Sequence, residues 1–423
     1  MKEYDCTKKA NFLLFWVPMI GGKLKLRMQN RRIIWECPKK KFRHTPVILI
    51  ANHSACFSFF SALSGFPLHR NLKGVASNIR FGNDVYGFIA EKCKSIPIRQ
   101  FVSDLTAVFH MAKCVRAGQS LILFPEGIES WSGMTHPIFP STAAFLKEMK
   151  TDVLLAMTEG EFLTCPTFVN DTRNGFIETR YSHLFTKEEL EEISVSEIEE
   201  RLADALRYND FKWNEEKHFH YKGKYPCAKG LQRILYYCPK CGGDETLYTR
   251  GDLIICRECG NTIRCDDTYA IAPNGTDDVL PYRRIDEWYL DCRKRLRKKL
   301  RLPKDISLSY DVKLGLRCLD YGKPKFERAG EGTLSIDKTG TRYRGTENGE
   351  ETELFIPIKR SFGADIYERD HLVLYDKSRT LSFEFSDDGP HIVKAEAAIE
   401  EFHALVDPDW DRALCRAYYP EEL

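Results

Sequence analysis

Asn52-His53 follows directly on the apolar run Val47-Ile48-Leu49-Ile50-Ala51, and Phe124-Pro125-Glu126-Gly127 overlaps the end of Ser120-Leu121-Ile122-Leu123-Phe124. Each run predicts a buried strand. In an open α/β sheet the functional residues lie beyond the carboxyl ends of strands. Two such ends in one parallel sheet share an edge, so these motifs can meet although about seventy residues separate them. Histidine at that edge suits general-base work, because its pKa lies near neutrality. An alcohol needs such a base to become a useful nucleophile.

A second constellation is built from cysteine. Cys238-Pro239-Lys240-Cys241-Gly242 and Cys256-Arg257-Glu258-Cys259-Gly260 are two C-x-x-C-G turns. Four thiolates so spaced form a zinc ribbon, a closed tetrahedral site for structural Zn²⁺. The metal replaces a core that so small a unit cannot supply. The chain has 15 Cys, the others scattered, which predicts a reducing compartment and not a disulfide scaffold.

The elements that must carry these residues follow from periodicity. Residues 46–225 alternate apolar runs with amphipathic stretches such as Asp104 to Ala117, which predicts an α/β domain with a parallel-rich sheet. Asp152 to Met157 is a third strand, and Lys187 to Tyr208 a closing surface helix. Residues 226–270 hold the ribbon. Residues 271–305 are a linker and an amphipathic helix, with Ile285, Trp288, Tyr289, Cys292, Leu296 and Leu300 on its apolar stripe and Arg293, Lys294, Arg297 and Lys298 on a solvated face. Residues 306–423 alternate in short runs, including Gly332 to Ile336 and His371 to Tyr375, and end in a helix with Ile392, Ala395, Ile399 and Phe402 on one side. This predicts a β-rich domain similar in pattern to pleckstrin-homology or GRAM modules.

The 423 residues carry a net charge of only +2, but residues 1–50 hold twelve Lys or Arg against three Asp or Glu. With the apolar run Phe12 to Ile20 and its flanking Lys8, Lys9, Lys23, Lys25 and Arg27, residues 1–45 predict a segment lying on an anionic membrane surface. No run reaches the roughly 18–20 apolar residues of a membrane span. The expected location is cytoplasmic, attached to the inner face of the cell membrane.

The His53 and FPEG pair resembles the lysophosphatidate (1-acylglycerol-3-phosphate) acyltransferase family over residues 30–190, with a zinc ribbon appended. The family's first motif is Asn-His-x-x-x-x-Asp and its third Phe-Pro-Glu-Gly-Thr-Arg-Ser. The resemblance implies transfer of a fatty acyl group from acyl-CoA or acyl carrier protein to the hydroxyl of a lysophospholipid, with His53 as base. Asn52, Phe124, Pro125, Glu126 and Gly127 would line the acceptor site. The family's Asp is Ser58 here, leaving Ser58 to orient His53. No Asp or Glu lies between Glu36 and Asp84, so a substitute carboxylate must come from elsewhere, Glu126 first and Asp84 second. The family's Thr-Arg-Ser is Ile128-Glu129-Ser130, so the phosphate-binding cation falls to Arg99, in Ile96-Pro97-Ile98-Arg99-Gln100. These departures admit a catalytically weakened relative that binds lipid or a protein partner. A zinc-ribbon nucleic-acid-binding protein is the second alternative, disfavoured because the ribbon's Lys240, Arg250, Arg257 and Arg264 are offset by Asp244, Glu245, Asp252 and Glu258.

Overall fold

The computed structural model describes residues 5–423 apart from 12, 14, 18, 19, 23–28, 44, 68–71, 83, 321, 378 and 387. Part of the N-terminal apolar run (Phe12, Leu14, Pro18, Met19) and its flanks Lys23, Lys25 and Arg27 lie outside the described residues. Within the run, Phe15 is buried beside Phe42, while Leu13, Val17 and Ile20 are exposed. Among the described residues no helix is long and apolar enough to cross a membrane.

The first sheet has seven strands: β1 (Asn30–Trp35), β2 (Ile48–Ala51), β3 (Leu72–Ser77), β4 (Ile96–Ile98), β5 (Ser120–Leu123), β6 (Val153–Glu159) and β7 (Phe176–Phe185). Their order is β1-β7-β6-β2-β5-β3-β4. Five of them, β6 to β4, run parallel. β7 is antiparallel to β6, and β1 joins it in parallel. The central strands are continuously apolar because both faces are covered. Ile48, Ile50, Leu121, Val153 and Leu155 meet the helices 105–116, 141–149 and 195–205 on one face. Leu49, Ala51, Ile122 and Leu154 meet Leu63 and Tyr181 on the other. Lys187 to Tyr208 forms two helices where one was expected, Lys187–Glu192 and Val195–Ala205. The break has a local cause: Thr186 with Glu189, and Ser194 with Glu197, each build a capping box that starts a helix afresh.

The cysteine unit is a four-stranded antiparallel sheet, β8 (Leu247–Arg250), β9 (Leu253–Cys256), β10 (Thr262–Cys265) and β11 (Ile271–Pro273). Beyond it lies a second seven-stranded sheet, wholly antiparallel: β12 (Ser307–Arg317), β13 (Phe326–Asp337), β14 (Gly340–Glu347), β15 (Glu350–Pro357), β16 (Asp365–Tyr367), β17 (His371–Asp376) and β18 (Arg379–Phe385). Its order is β15-β14-β13-β12-β18-β17-β16. The helix His391–Ala404 closes it, followed by Pro408–Tyr418. One hydrophobic core runs from Met134 through the cysteine unit and the helix Ile285–Leu300 to Tyr419.

That helix corrects an expectation. Lys294 and Lys298 are exposed, but Arg293 and Arg297 are buried. Carboxylates from the C-terminal helices meet them: Arg293 lies 2.9 Å from Glu400 and 3.2 Å from Glu401, and Arg297 lies 2.7 Å from Glu401. Burial of a guanidinium is tolerated when it is paired and hydrogen-bonded.

Candidate active site

β2 and β5 are neighbours with Ile50 opposite Leu123, so the chain segments leaving them emerge side by side. The His53 ring packs against Phe124, centroids 4.5 Å apart. Ser130 donates its backbone N–H to the His53 carbonyl at 2.8 Å, and the His53 N–H donates to Glu126 Oε1 at 2.7 Å. Gly127 turns the loop with φ +72°, and a Cβ there would meet the Phe139 ring at 2.5 Å, so both backbone and space require glycine.

Burial pushes the His53 imidazole below its ordinary pKa; the Glu129 carboxylate opposes this and the Arg80 guanidinium adds to it. The ring is therefore neutral near pH 7, as a general base must be. Among the described residues its buried Nδ1 meets no partner with hydrogen-bond geometry, although the Ala55 backbone favours the charged ring. In this respect His53 differs from a histidine held by a carboxylate, which fixes its tautomer and stabilises the imidazolium.

The residues expected to supply that carboxylate do other things. Ser58 does not orient the ring. Its hydroxyl accepts the Ala55 N–H at 2.9 Å and donates to Glu161 Oε2 at 2.8 Å. Glu126 is fully buried and brackets two backbone segments, its second oxygen accepting the His136 N–H at 2.7 Å. Burial pushes its pKa up to about 7. Asp84 caps the helix Val85–Lys92 through Gly87 N–H and pairs with Lys325 at 3.1 Å. Asn52 is also structural rather than acceptor-lining. Its amide clamps β2 to β6, exchanging two 2.8 Å bonds with the Thr158 backbone. Arg99 pairs with Asp104 at 3.4 Å and reaches the Lys377 carbonyl. Arg80 is the cation whose charge bears on His53, and it lies 4.0 Å from Glu129.

Glu161 escaped the sequence reading. It is buried just beyond β6, caged by the hydroxyls of Ser54, Ser58 and Ser61. Burial pushes its pKa up, and the hydroxyls of Ser61, Ser58 and Ser54 and the Arg31 charge oppose this only in part. The signal was available: Glu161 stands at the carboxyl end of a central strand, as His53 and Glu126 do.

The second large sheet forms one side of this edge. Tyr375 donates its hydroxyl to Asn78 Oδ1 at 2.7 Å, Arg317 reaches the Asn78 and Phe81 carbonyls, and Arg80 lies over the Tyr367 ring. Asp365, 3.4 Å from Ser77 Oγ, has its pKa pushed up to about 6 by burial. Cys56 and Cys165, expected to be isolated, place their sulfurs 3.1 Å apart beside the His53 loop.

Residues 33–156 match the family model described as Acyltransferase. This stretch is an acyltransferase domain. It contains His53 and the FPEG loop, while Glu161 follows it. The chain is also similar to the crystal structure of the 1-acyl-sn-glycerophosphate (LPA) acyltransferase PlsC from Thermotoga maritima, at 15% identity with a TM-score of 0.34, covering 44% of this chain and 76% of that one. No curated protein matches the chain.

Two predictions follow from the electrostatics of the acyltransferase domain. With the His53 pKa depressed, the acid limb of the kcat/KM–pH profile falls below about 6.5, the ordinary histidine value. Glu129→Gln removes the opposing anion and moves the limb further down; Arg80→Gln moves it up. Restoring the family's acid fails here: Ser58→Asp buries a second carboxylate against Glu161 and lowers stability by about 3 kcal/mol in urea unfolding, without a gain in rate.

Proposed function

We propose that the chain transfers a fatty acyl group from a thioester donor, acyl-CoA or acyl carrier protein, to the hydroxyl of a lysophospholipid such as lysophosphatidate. The observation that carries this reading is the His53 ring at the shared end of β2 and β5, packed against Phe124 of the FPEG loop of an acyltransferase domain. His53 takes the proton of the acceptor hydroxyl as its oxygen attacks the thioester carbonyl. The tetrahedral intermediate collapses, the C–S bond breaks, and the thiol leaves after receiving the proton back from the imidazolium. Arg80 would receive an acceptor phosphate in preference to Arg99, which pairs with Asp104.

Membrane association belongs to the same proposal. Val85, Tyr86, Leu105 and Phe109 are all more than half exposed on two helices of the acyltransferase domain, with Lys92, Lys113 and Arg116 on the same helices. Apolar side chains among cations suit an anionic lipid surface.

The four cysteines fit a structural Zn²⁺. Their sulfurs all lie within 4.8 Å of one another, with Cys238–Cys259 at 3.6 Å and Cys241–Cys256 at 3.8 Å. Tetrahedral Zn–S bonds of about 2.3 Å place sulfurs roughly 3.8 Å apart. All four thiolates would be ligands, leaving no open position for chemistry. The closing helix on the second sheet supports a pleckstrin-homology- or GRAM-like assignment for that module.

A competing reading, a lipid- or partner-binding relative without activity, draws support from the unpartnered Nδ1 of His53. The two separate in one assay. With lysophosphatidate in anionic vesicles and an acyl-CoA, the acyl transfer reading expects thiol release that His53→Ala lowers by about 10²–10⁴-fold. Equal rates for both proteins, with vesicle binding retained, would establish the binding reading. Cys256→Ser is expected to release the ribbon's metal and to lower the thermal midpoint, read by metal analysis and calorimetry.

A further inference from the structure

We propose that His136, Glu396 and Glu400 form a second metal site, for a divalent first-row transition ion, which fastens the loop following FPEG to the C-terminal helix. The three side chains are buried, and one ligand atom from each lies within 4.8 Å of the others. His136 Nε2 is 2.9 Å from Glu400 Oε1 and 3.6 Å from Glu396 Oε1. Neither contact has good hydrogen-bond geometry: among the described residues, His136 Nε2, Glu396 Oε1 and Glu400 Oε1 are buried and face one another only as an ion pair, in which the two carboxylates outweigh burial and push the imidazole up to about 10. Three buried polar atoms that converge without good hydrogen-bond geometry are costly in a protein interior. They become ordinary if they share an ion. Ligand bonds of about 2.0–2.2 Å place neighbouring donor atoms on the order of 3–3.6 Å apart, which matches both contacts.

The surroundings agree. Glu396 and Glu400 are one helical turn apart, on one face of His391–Ala404. Glu400 uses its other oxygen to accept from Arg293 at 2.9 Å, the kind of outer contact that orients a ligating carboxylate. The His136 backbone N–H is held by Glu126. Charge also fits. Among the described residues, the cluster joins Glu400, Glu401, Asp411 and Glu422 to Arg293, Arg297 and Arg301, and Glu396 to it through His136. Five carboxylates against three guanidiniums leave two negative charges beside His136, and a bound divalent cation would take the place of the imidazole proton that these carboxylates hold. One imidazole nitrogen and two carboxylate oxygens suit Mn²⁺, Fe²⁺ or Zn²⁺, whereas the thiolate site favours softer binding. The inference stands apart from acyl transfer and from the ribbon.

Mn²⁺ is the probe that separates the two sites. Paramagnetic titration of the full-length chain, grown in metal-depleted medium, is expected to show about one saturable equivalent. Cys238→Ser should leave that equivalent in place. His136→Gln should remove it, and Glu396→Gln, which keeps the side-chain shape, should weaken it at least about tenfold, as expected for the loss of an anionic ligand. A wild-type chain that takes up no Mn²⁺ saturably, and whose metal content measured by mass spectrometry vanishes with Cys238→Ser alone, would overturn the proposal. So would undiminished Mn²⁺ binding in Glu396→Gln, which decides the question even where His136→Gln does not fold.

Discussion

A single buried carboxylate ties the candidate site to the rest of the molecule. Glu126 accepts the backbone N–H of His53 with one oxygen and that of His136 with the other, each at 2.7 Å. Burying a carboxylate is costly unless its oxygens are satisfied. Here the two donors come from backbone, so neither can swing away. The first fixes the segment that carries the imidazole; the second fixes the segment that reaches the C-terminal helix. The Glu of the FPEG loop is thus a bracket, with exposed Arg80 and half-buried Glu129 paired nearby.

A second constraint is the charge network under the C-terminal helices. Arg293 and Arg297 leave water only because Glu400 and Glu401 arrive from a helix about a hundred residues later. The same helix presents Glu396 and Glu400 to His136, which follows the FPEG loop. The C-terminal module therefore docks on the acyltransferase domain through polar groups that must be matched, and the site's edge is shared between the two.

The legible part of the sequence was local. Apolar runs of five residues ending in Asn-His or Phe-Pro-Glu-Gly announced strands whose ends meet, and two C-x-x-C-G turns announced a cysteine cluster. What was not legible depended on long-range partners. Ser58 reads as a substitute for an acid that orients a ring, yet its hydroxyl turns to Glu161, a residue beyond another strand. Arg99 reads as a free cation at a strand end, yet Asp104 claims it. Arg293 and Arg297 read as solvated, since nothing within their own helix could pair them. Helical periodicity assigns a face; it does not tell which charge waits on the neighbouring element.

The central claim is that His53 works as a neutral base without a carboxylate on its ring. ¹⁵N-histidine NMR of the full-length chain, with the His53 signal assigned by comparison with His53→Gln, tests this directly. The account predicts a neutral imidazole at pH 7 that titrates below about 6.5. An imidazolium at pH 7, or a titration above that value, would contradict it, because the ring would then have a carboxylate partner that this structure does not place there.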